Sequence, residues 1–329
     1  MKPPCHLRSK LRFVIGRYVA LKRALGRKFE VEFYQLTRLD RFLASHSWDL
    51  TIETYSAWCK TLGHATASGR RLRMRIVYNL CLYRRRTEPH CFVPDPTQFP
   101  PPQARCKPHI FTGAEICRLL RATDGLAPHA CSPLHRYAAR LAIVLLYTSG
   151  LRRGEVIRLT LGDYNATEKR LVIRESKFHK SRLVPLSDDG IRELRKYLRF
   201  RDTAAFPRAS ASPLLLNNHG GATGYTGPGF ACLIRKLYNR AGIHTQAGRP
   251  PRVHDLRFTF AVHALTRWYR HGDDIHAKLP ALSIYMGHVS IVSTQYYLPF
   301  VDDIAQAASD RFDRHFARFN PVLFTGGAR

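Results

Sequence analysis

Acidic residues are scarce in this chain. Its 329 residues include 24 Asp and Glu against 53 Lys and Arg, a formal charge of +29. Self-repulsion of that size costs the folded state something, and the ordinary reason to carry it is a polyanionic partner, DNA or RNA. Long apolar runs are also missing. None reaches the ~18 residues of a membrane span, and the basic start from Met1 to Arg12 has no apolar signal segment. The chain is therefore expected to make no membrane contact and to be cytoplasmic and nucleoid-associated. Eight cysteines, at 5, 59, 81, 91, 106, 117, 131 and 232, contain no Cys-x-x-Cys pair. His129 and Cys131 supply only half of a four-ligand set, so the thiols are expected to be reduced and structural. There is no G-x-x-x-x-G-K-[ST] loop, which excludes a Walker-type nucleotide site. No carboxylate cluster suggests a two-metal nuclease. Neither a metal nor a cofactor is expected.

What is present organises into two parts. Hydrophobic residues make up 45% of the chain, enough for globular cores, and the length suits two domains. Residues 1–106 carry 20 basic and 7 acidic residues, a surplus of 13; the remainder carries 33 and 17, a surplus of 16. Charge on both halves fits two domains gripping one duplex, and a single basic tail would not produce it. The break lies at 94–108, where six prolines fall in fifteen residues and predict an extended linker, with the boundary near 105. This divides a domain at 1–93 from one at 109–329.

Apolar spacing predicts helices over 8–25, 30–46, 51–62 and 66–86 in the first domain. In the last of these, Leu72, Ile76, Leu80 and Tyr83 form the expected core stripe. Arg70, Arg71, Arg73, Arg75, Arg84 and Arg85 are candidate phosphate contacts, because the stretch 70–86 holds seven arginines and no acid. The second domain begins with a capping-box pattern at Thr112-Gly113-Ala114-Glu115. Helices are predicted at 136–149, ending at Gly150, and at 154–161 and 188–201. Short strands are predicted at 170–173, 183–186 and 214–217, with largely helical chain after 227. The fold class is mainly α with a small β-sheet.

Five local patterns in the second domain suggest chemistry. Thr148-Ser149-Gly150-Leu151-Arg152-Arg153-Gly154-Glu155 presents Arg152 at a helix start, where a guanidinium can fork onto phosphate oxygens; alone it reads equally as a helix end with surface arginines. Glu175 to Leu186 reads as a hairpin with a cationic turn, carrying Lys177 and Lys180. His254-Asp255-Leu256-Arg257 puts His254 and Arg257 on one helix face, with Asp255 as a cap. Met286-Gly287-His288 and Thr294-Gln295-Tyr296-Tyr297 are uninformative singly.

Their order, Arg, Lys, His-x-x-Arg, Gly-His, Tyr, resembles the catalytic domain of the tyrosine recombinases, the phage integrase family. The matching segments are SGLRRGEVIRLT, KFHKSRLVPLS, HDLRFTFAVHAL and MGHVSIVSTQYY, between about 140 and 300. The resemblance implies site-specific strand exchange through a 3′-phosphotyrosyl intermediate, with double-stranded DNA as partner. A homotetramer would form in the synaptic complex from a monomer or dimer off DNA, with or without partner recombinases. The first domain would be the helical, SAM-like core-binding domain, and the second an α+β catalytic domain. Residue by residue, Arg152 and Arg257 match the phosphate clamp, and Lys177 the donor to the leaving 5′ oxygen, with Lys180 as alternative. His254 matches the acid/base histidine, His288 the second histidine and Tyr297 the nucleophile, with Tyr296 its confusable neighbour. Glu155 matches a supporting acidic position. Two features depart from the pattern. Phe258 stands where the family often has His, and the stretch from Arg257 to His288 is longer than in compact members, similar to transposon- and plasmid-borne relatives. The tail from Asp302 to Phe319 reads as an amphipathic helix, docking on its own domain or on a neighbour. An accessory DNA-binding protein without turnover and a type IB topoisomerase-like enzyme are the rival readings.

Overall fold

The structure, a computed structural model, describes residues 7–46, 49–102, 106–127, 132–174, 181–203, 206–217, 223–288 and 290–298. The chain divides into two compact units, Met1–Cys106 and Lys107–Arg329. The tail from Asp302 to Phe319 lies outside the described residues, as do Lys177 and Lys180. Among the described residues, no helix is long and apolar enough to cross a membrane.

The first unit contains helices α1 (Arg12–Ala24), α2 (Glu30–Ala44), α3 (Ile52–Lys60) and α4 (Ala67–Arg84). Their buried faces meet in a core built around Ile15, Leu36, Leu39, Leu43, Val77 and Leu80. Thr51 and Thr66 cap α3 and α4 by accepting from the backbone N–H of Thr54 and Gly69. The start of α1 is held differently. Buried Asp40, from α2, accepts from the N–H groups of Arg8 and Ser9 and from the Ser9 hydroxyl. A carboxylate from a neighbouring helix thus satisfies backbone donors in the segment that leads into α1.

The core stripe of α4 differs from the predicted one. Met74, Ile76, Val77, Leu80 and Cys81 are buried, whereas Leu72 is 54% exposed. At 100° per residue, Leu72 lies about 140° around the helix from Val77, so the buried face is rotated away from it. That rotation redistributes the arginines. Arg84 falls beside the core and is held by Asp49 at 2.8 Å and by Glu88. Arg70 shares the line of Val77 and is half-buried. Arg75, Arg85 and Arg86 are exposed. The proline-rich segment is not extended throughout. Asp95 caps a short turn at Pro96–Gln98, Phe99 is buried in the core, and Arg71 donates to the Pro100 carbonyl at 2.6 Å.

The second unit is built around α6 (His135–Thr148), which follows α5 (Gly113–Asp124). Ala138, Ala139, Leu141, Ala142, Ile143, Leu145 and Leu146 are all buried, so α6 is apolar on nearly every side and serves as the central rod. The capping box of α5 forms between Thr112 and Glu115 as the sequence predicts. After α7 (Arg153–Arg158) comes an antiparallel sheet of β1 (Tyr164–Asn165), β2 (Arg170–Ile173) and β3 (Arg182–Pro185), in that order. Ile173 pairs with Arg182 in the β2–β3 register. Next are α8 (Asp188–Thr203) and a small antiparallel pair, β4 (Leu216–Asn217) with β5 (Thr223–Gly224). The remaining helices are α9 (Gly227–Arg240), α10 (Val253–Arg270), α11 (Ile275–Met286) and α12 (Val292–Gln295). A satellite core of Phe258, Ala261, Val262, Leu265, Leu279, Leu282 and Met286 seats Tyr297 against α10 and α11.

Candidate active site

Three chain segments converge here because two helix starts and one helix end face one another. Arg152 is the N-cap of α7, and its backbone N–H is satisfied by Glu155 one turn later at 2.8 Å. The α10 start repeats this arrangement. Asp255 accepts from the Arg252 N–H at 2.9 Å and so has the capping role expected of it. Capping places His254 and Arg257 in the first turns of α10, where helix geometry brings them to one side. At the end of α11, Gly287 has φ +67, a left-handed cap that turns the chain and delivers His288.

The two arginines grip that turn. Arg257 is 1% exposed. Its Nη1 donates to the Gly150 carbonyl at 2.5 Å, and its Nη2 to the Met286 carbonyl at 2.6 Å and to His288 Nε2 at 2.9 Å. Arg152 Nη2 donates to the Gly287 carbonyl at 2.7 Å and Nη1 to Glu155 at 2.8 Å. Residues 286, 287 and 288 are therefore held in succession by Arg257, Arg152 and Arg257. Gly150 has φ +56, and an added Cβ there would come within 2.4 Å of the Phe260 ring. Only glycine turns its carbonyl toward Arg257 without moving that ring.

The hydrogen bonds assign the His288 tautomer. A guanidinium can only donate, so Nε2 accepts, and Nδ1 carries the proton it gives to Thr294 Oγ1 at 2.7 Å. His288 is thus neutral. Burial and the charge of Arg257 push its pKa down to about 4. His254 keeps one side open to solvent. Crowding by protein atoms on its other sides, then the Arg257 charge, push it to about 4 as well. Both rings are therefore free bases at neutral pH. Burial and the Arg152 charge lower the Arg257 pKa to about 10. Burial tends to raise that of Glu155, but hydrogen bonds from Arg182 and Arg152 outweigh it and hold the carboxylate at about 2.

These shifts predict acid sensitivity. Above the ordinary histidine pKa of about 6.5, neither folded nor unfolded chain binds these protons. Between 6.5 and about 4 the unfolded chain binds them first, so stability is lost as pH falls through that window. The melting temperature of DNA-free protein is expected to fall from pH 7.5 to 4.5, and less steeply in His288→Gln. Equal slopes for wild type and variant would contradict the assignment.

Tyr297 follows α12 and is 3% exposed. Its ring lies 5.8 Å from that of His288, nearly parallel, and meets the Phe258 ring edge-on at 4.7 Å. Burial raises the phenol pKa, while the charge and hydrogen bonding of Arg257 draw it back. Tyr296 is half-buried and meets Phe258 at 5.8 Å. Phe258 also meets the His254 ring at 5.5 Å, so this departure from the family pattern packs against both rings. Of the residues singled out from sequence, Arg152, Glu155, His254, Arg257, His288 and Tyr297 gather here.

Sequence reasoning passed over Arg182 and Thr294. Arg182 donates to both carboxylate oxygens of Glu155, at 3.0 and 2.9 Å. A signal for it exists. Val184 and Leu186 are buried, and a strand turns every second residue to one face, so Arg182 shares their inward side. An inward arginine needs fixed acceptors, and the sequence does not single out Glu155 as one of them. Thr294 had no local signal.

Residues 110–301 match the phage integrase family. A Sinorhizobium fredii protein, y4rB, with a provisional integrase/recombinase name, is 31% identical over 313 residues, spanning 94% of this chain and 98% of its own length. The tyrosine recombinase XerD of Ralstonia nicotianae is 31% identical over 213 residues, 63% of this chain and 62% of its own. Among solved structures, the XerH site-specific recombinase bound to palindromic difH substrate, a post-cleavage complex, has a TM-score of 0.61 at 18% identity, covering 88% of this chain and 80% of that one. The Tn1549 transposon integrase in complex with transposon right end DNA has a TM-score of 0.59 at 16% identity, covering 86% and 94%. At these identities the two structures share the fold.

Proposed function

Because this chain belongs to the phage integrase family, and is a tyrosine recombinase that breaks and rejoins DNA at specific sites, we propose that Tyr297 is its nucleophile and that Arg152 and Arg257 clamp the scissile phosphate. The observation that carries this reading is the approach of the Tyr297 phenol to buried Arg257, within a site that Arg152 closes from the other side.

The chemistry follows from the groups. A phosphodiester anion repels nucleophiles, and two guanidiniums offset its charge as it grows in the five-coordinate transition state. The phenol oxygen attacks phosphorus, and its proton passes to neutral His254. The bond from phosphorus to the 5′ oxygen breaks, and that oxygen takes a proton from Lys177. A 3′-phosphotyrosyl link results, conserving the bond for rejoining without ATP. Incoming phosphate replaces the hydrogen bond between Arg257 and His288, which frees the Arg257 N–H toward its oxygens; His288 Nε2 donates to them once the anion's charge lets it take up a proton. Phe258 keeps water from the phenol.

In this reading the first unit is the core-binding domain. Arg75 and Arg85 meet the DNA backbone from its exposed face, joined by the half-buried Arg70, Arg71 and Arg73, while Arg84 stabilises the fold through Asp49. Four protomers act on two duplexes through a Holliday junction, in the cytoplasm at the nucleoid, and the element served is a mobile one.

A duplex nicked beside the cleavage site tests the assignment, since loss of the short leaving strand traps the covalent complex. Peptide mapping is expected to place the adduct on Tyr297. An adduct on Tyr296, or no adduct with a cognate site, would refute it.

A further inference from the structure

Two arginines meet on Glu155. Oε1 accepts from Nη1 of Arg152 at 2.8 Å and Nη1 of Arg182 at 3.0 Å; Oε2 accepts from the backbone N–H of Arg152 at 2.8 Å and Nη2 of Arg182 at 2.9 Å. Arg182 therefore makes the parallel two-pronged pair, and Arg152 holds the edge with a single guanidinium nitrogen. The Nε of Arg182 donates to the Tyr285 carbonyl at 2.8 Å. The side chains of Arg182 and Glu155 are 9% and 1% exposed, so water screens the pair little. Gly287 packs against the same guanidinium, where an added Cβ would come within 2.8 Å of Nη1.

Resting on the recombinase site described above, we propose that Arg182 is a positioning residue for strand cleavage: it neutralises Glu155 so that the charge of Arg152 remains available to the scissile phosphate. The charges facing Glu155 come from three elements: Arg152 from its own turn, Arg182 from β3 and Arg257 from α10. Beyond Arg182 stand the Tyr285 carbonyl of α11 and His288, which is neutral. Three cations against one carboxylate leave a surplus of two positive charges for an arriving anion. Without Arg182 the surplus falls to one, and Glu155 leans wholly on Arg152. A buried carboxylate with one partner draws that partner in strongly, and the phosphate loses half of its clamp. The same arginine joins β3, which follows the Lys177 segment in sequence, to the turn that delivers His288, so its loss also loosens the register between those parts.

Coupling to Glu155 separates this role from simple support. In wild type its carboxyl stays ionised across the working range.

The experiment is single-turnover cleavage of the nicked duplex by the full chain. Arg182→Met is expected to slow adduct formation about 100-fold at pH 8. The double variant Arg182→Met/Glu155→Gln should be about tenfold faster than Arg182→Met alone, because no unpaired carboxylate then competes for Arg152. Should Arg182→Met fail to fold, Arg182→Lys, with and without Glu155→Gln, reads the same coupling. The proposal is overturned if the double variant is no faster than the single one. An adduct-forming wild type with an unimpaired Arg182→Met defeats this inference alone; a wild type that forms no adduct defeats the parent reading and this one with it.

Discussion

Tyr297→Phe is expected to bind its DNA site with wild-type affinity and to form no covalent complex, a loss of at least about 10⁴-fold in cleavage. The substitution removes one oxygen. The ring that remains is already packed between the Phe258 edge and the His288 face, so no cavity opens. The buried hydroxyl carries a desolvation cost, so its removal should shift stability by less than about 1 kcal/mol. Folding and affinity thus stay intact while the attacking atom is gone. Tyr296→Phe is the matched control: the same chemical change, one residue earlier, on a ring that meets Phe258 from a half-buried position. It should cleave at close to the wild-type rate. A covalent complex that persists in Tyr297→Phe and vanishes in Tyr296→Phe would reverse the assignment.

Arg257→Lys should lower the cleavage rate about 10³-fold at pH 8. Charge is nominally conserved, so the size of the loss measures geometry and hydration. The planar guanidinium reaches the Gly150 and Met286 carbonyls and His288 at once. An ammonium is a single point of charge and cannot span them together with a phosphate. Burial adds a second effect. The site pulls even Arg257 down to about 10, which still leaves it charged at pH 8. A lysine begins near ~10.4 and, lowered by the same burial, would lose its charge close to the working pH. The ratio of variant to wild-type rates should accordingly rise as pH falls from 8 to 6. The variant should also be less stable by roughly 2–4 kcal/mol, since a buried carbonyl is left without a donor. A lysine variant that retained a tenth of the wild-type rate at pH 8 would remove Arg257 from the clamp.

Both expectations share one electrostatic cause. Without DNA, burial first and then positive charge left unbalanced by the surroundings push Arg257, His254 and His288 below their ordinary pKa values. A phosphate supplies the missing negative charge. The site is thus destabilised when empty and relieved when filled, so part of the cost of folding it is returned as affinity for a charged transition state.

Much of this was legible in the sequence because it is local. Helix caps at Thr112 and Asp255 depend on residues three apart, and the α5 and α10 starts form as their patterns require. The central helix α6 announced itself by composition. The order of Arg152, His254, Arg257, His288 and Tyr297 carried the resemblance to the family, and that resemblance favoured the second tyrosine of the pair. The charge surplus on both halves pointed to a polyanion without any structure.

Other features required the folded chain. The face that α4 buries is set by what packs on it, so a stripe drawn through Leu72 came out rotated and Arg84 was turned toward Asp49. Phe99 fills the first core from within a proline-rich stretch whose composition reads as linker. Main-chain carbonyls leave no mark in a sequence, and two of them, from Gly150 and Met286, hold Arg257 across separations of 107 and 29 residues. Arg182 reaches Glu155 across 27 residues and a strand boundary, and no periodicity of helix or strand extends so far. By itself, then, the sequence determined the local elements, the charge and the roster of reactive groups. Only tertiary structure decided which of those groups share a charge, because that depends on distances closed by packing and not on spacing along the chain.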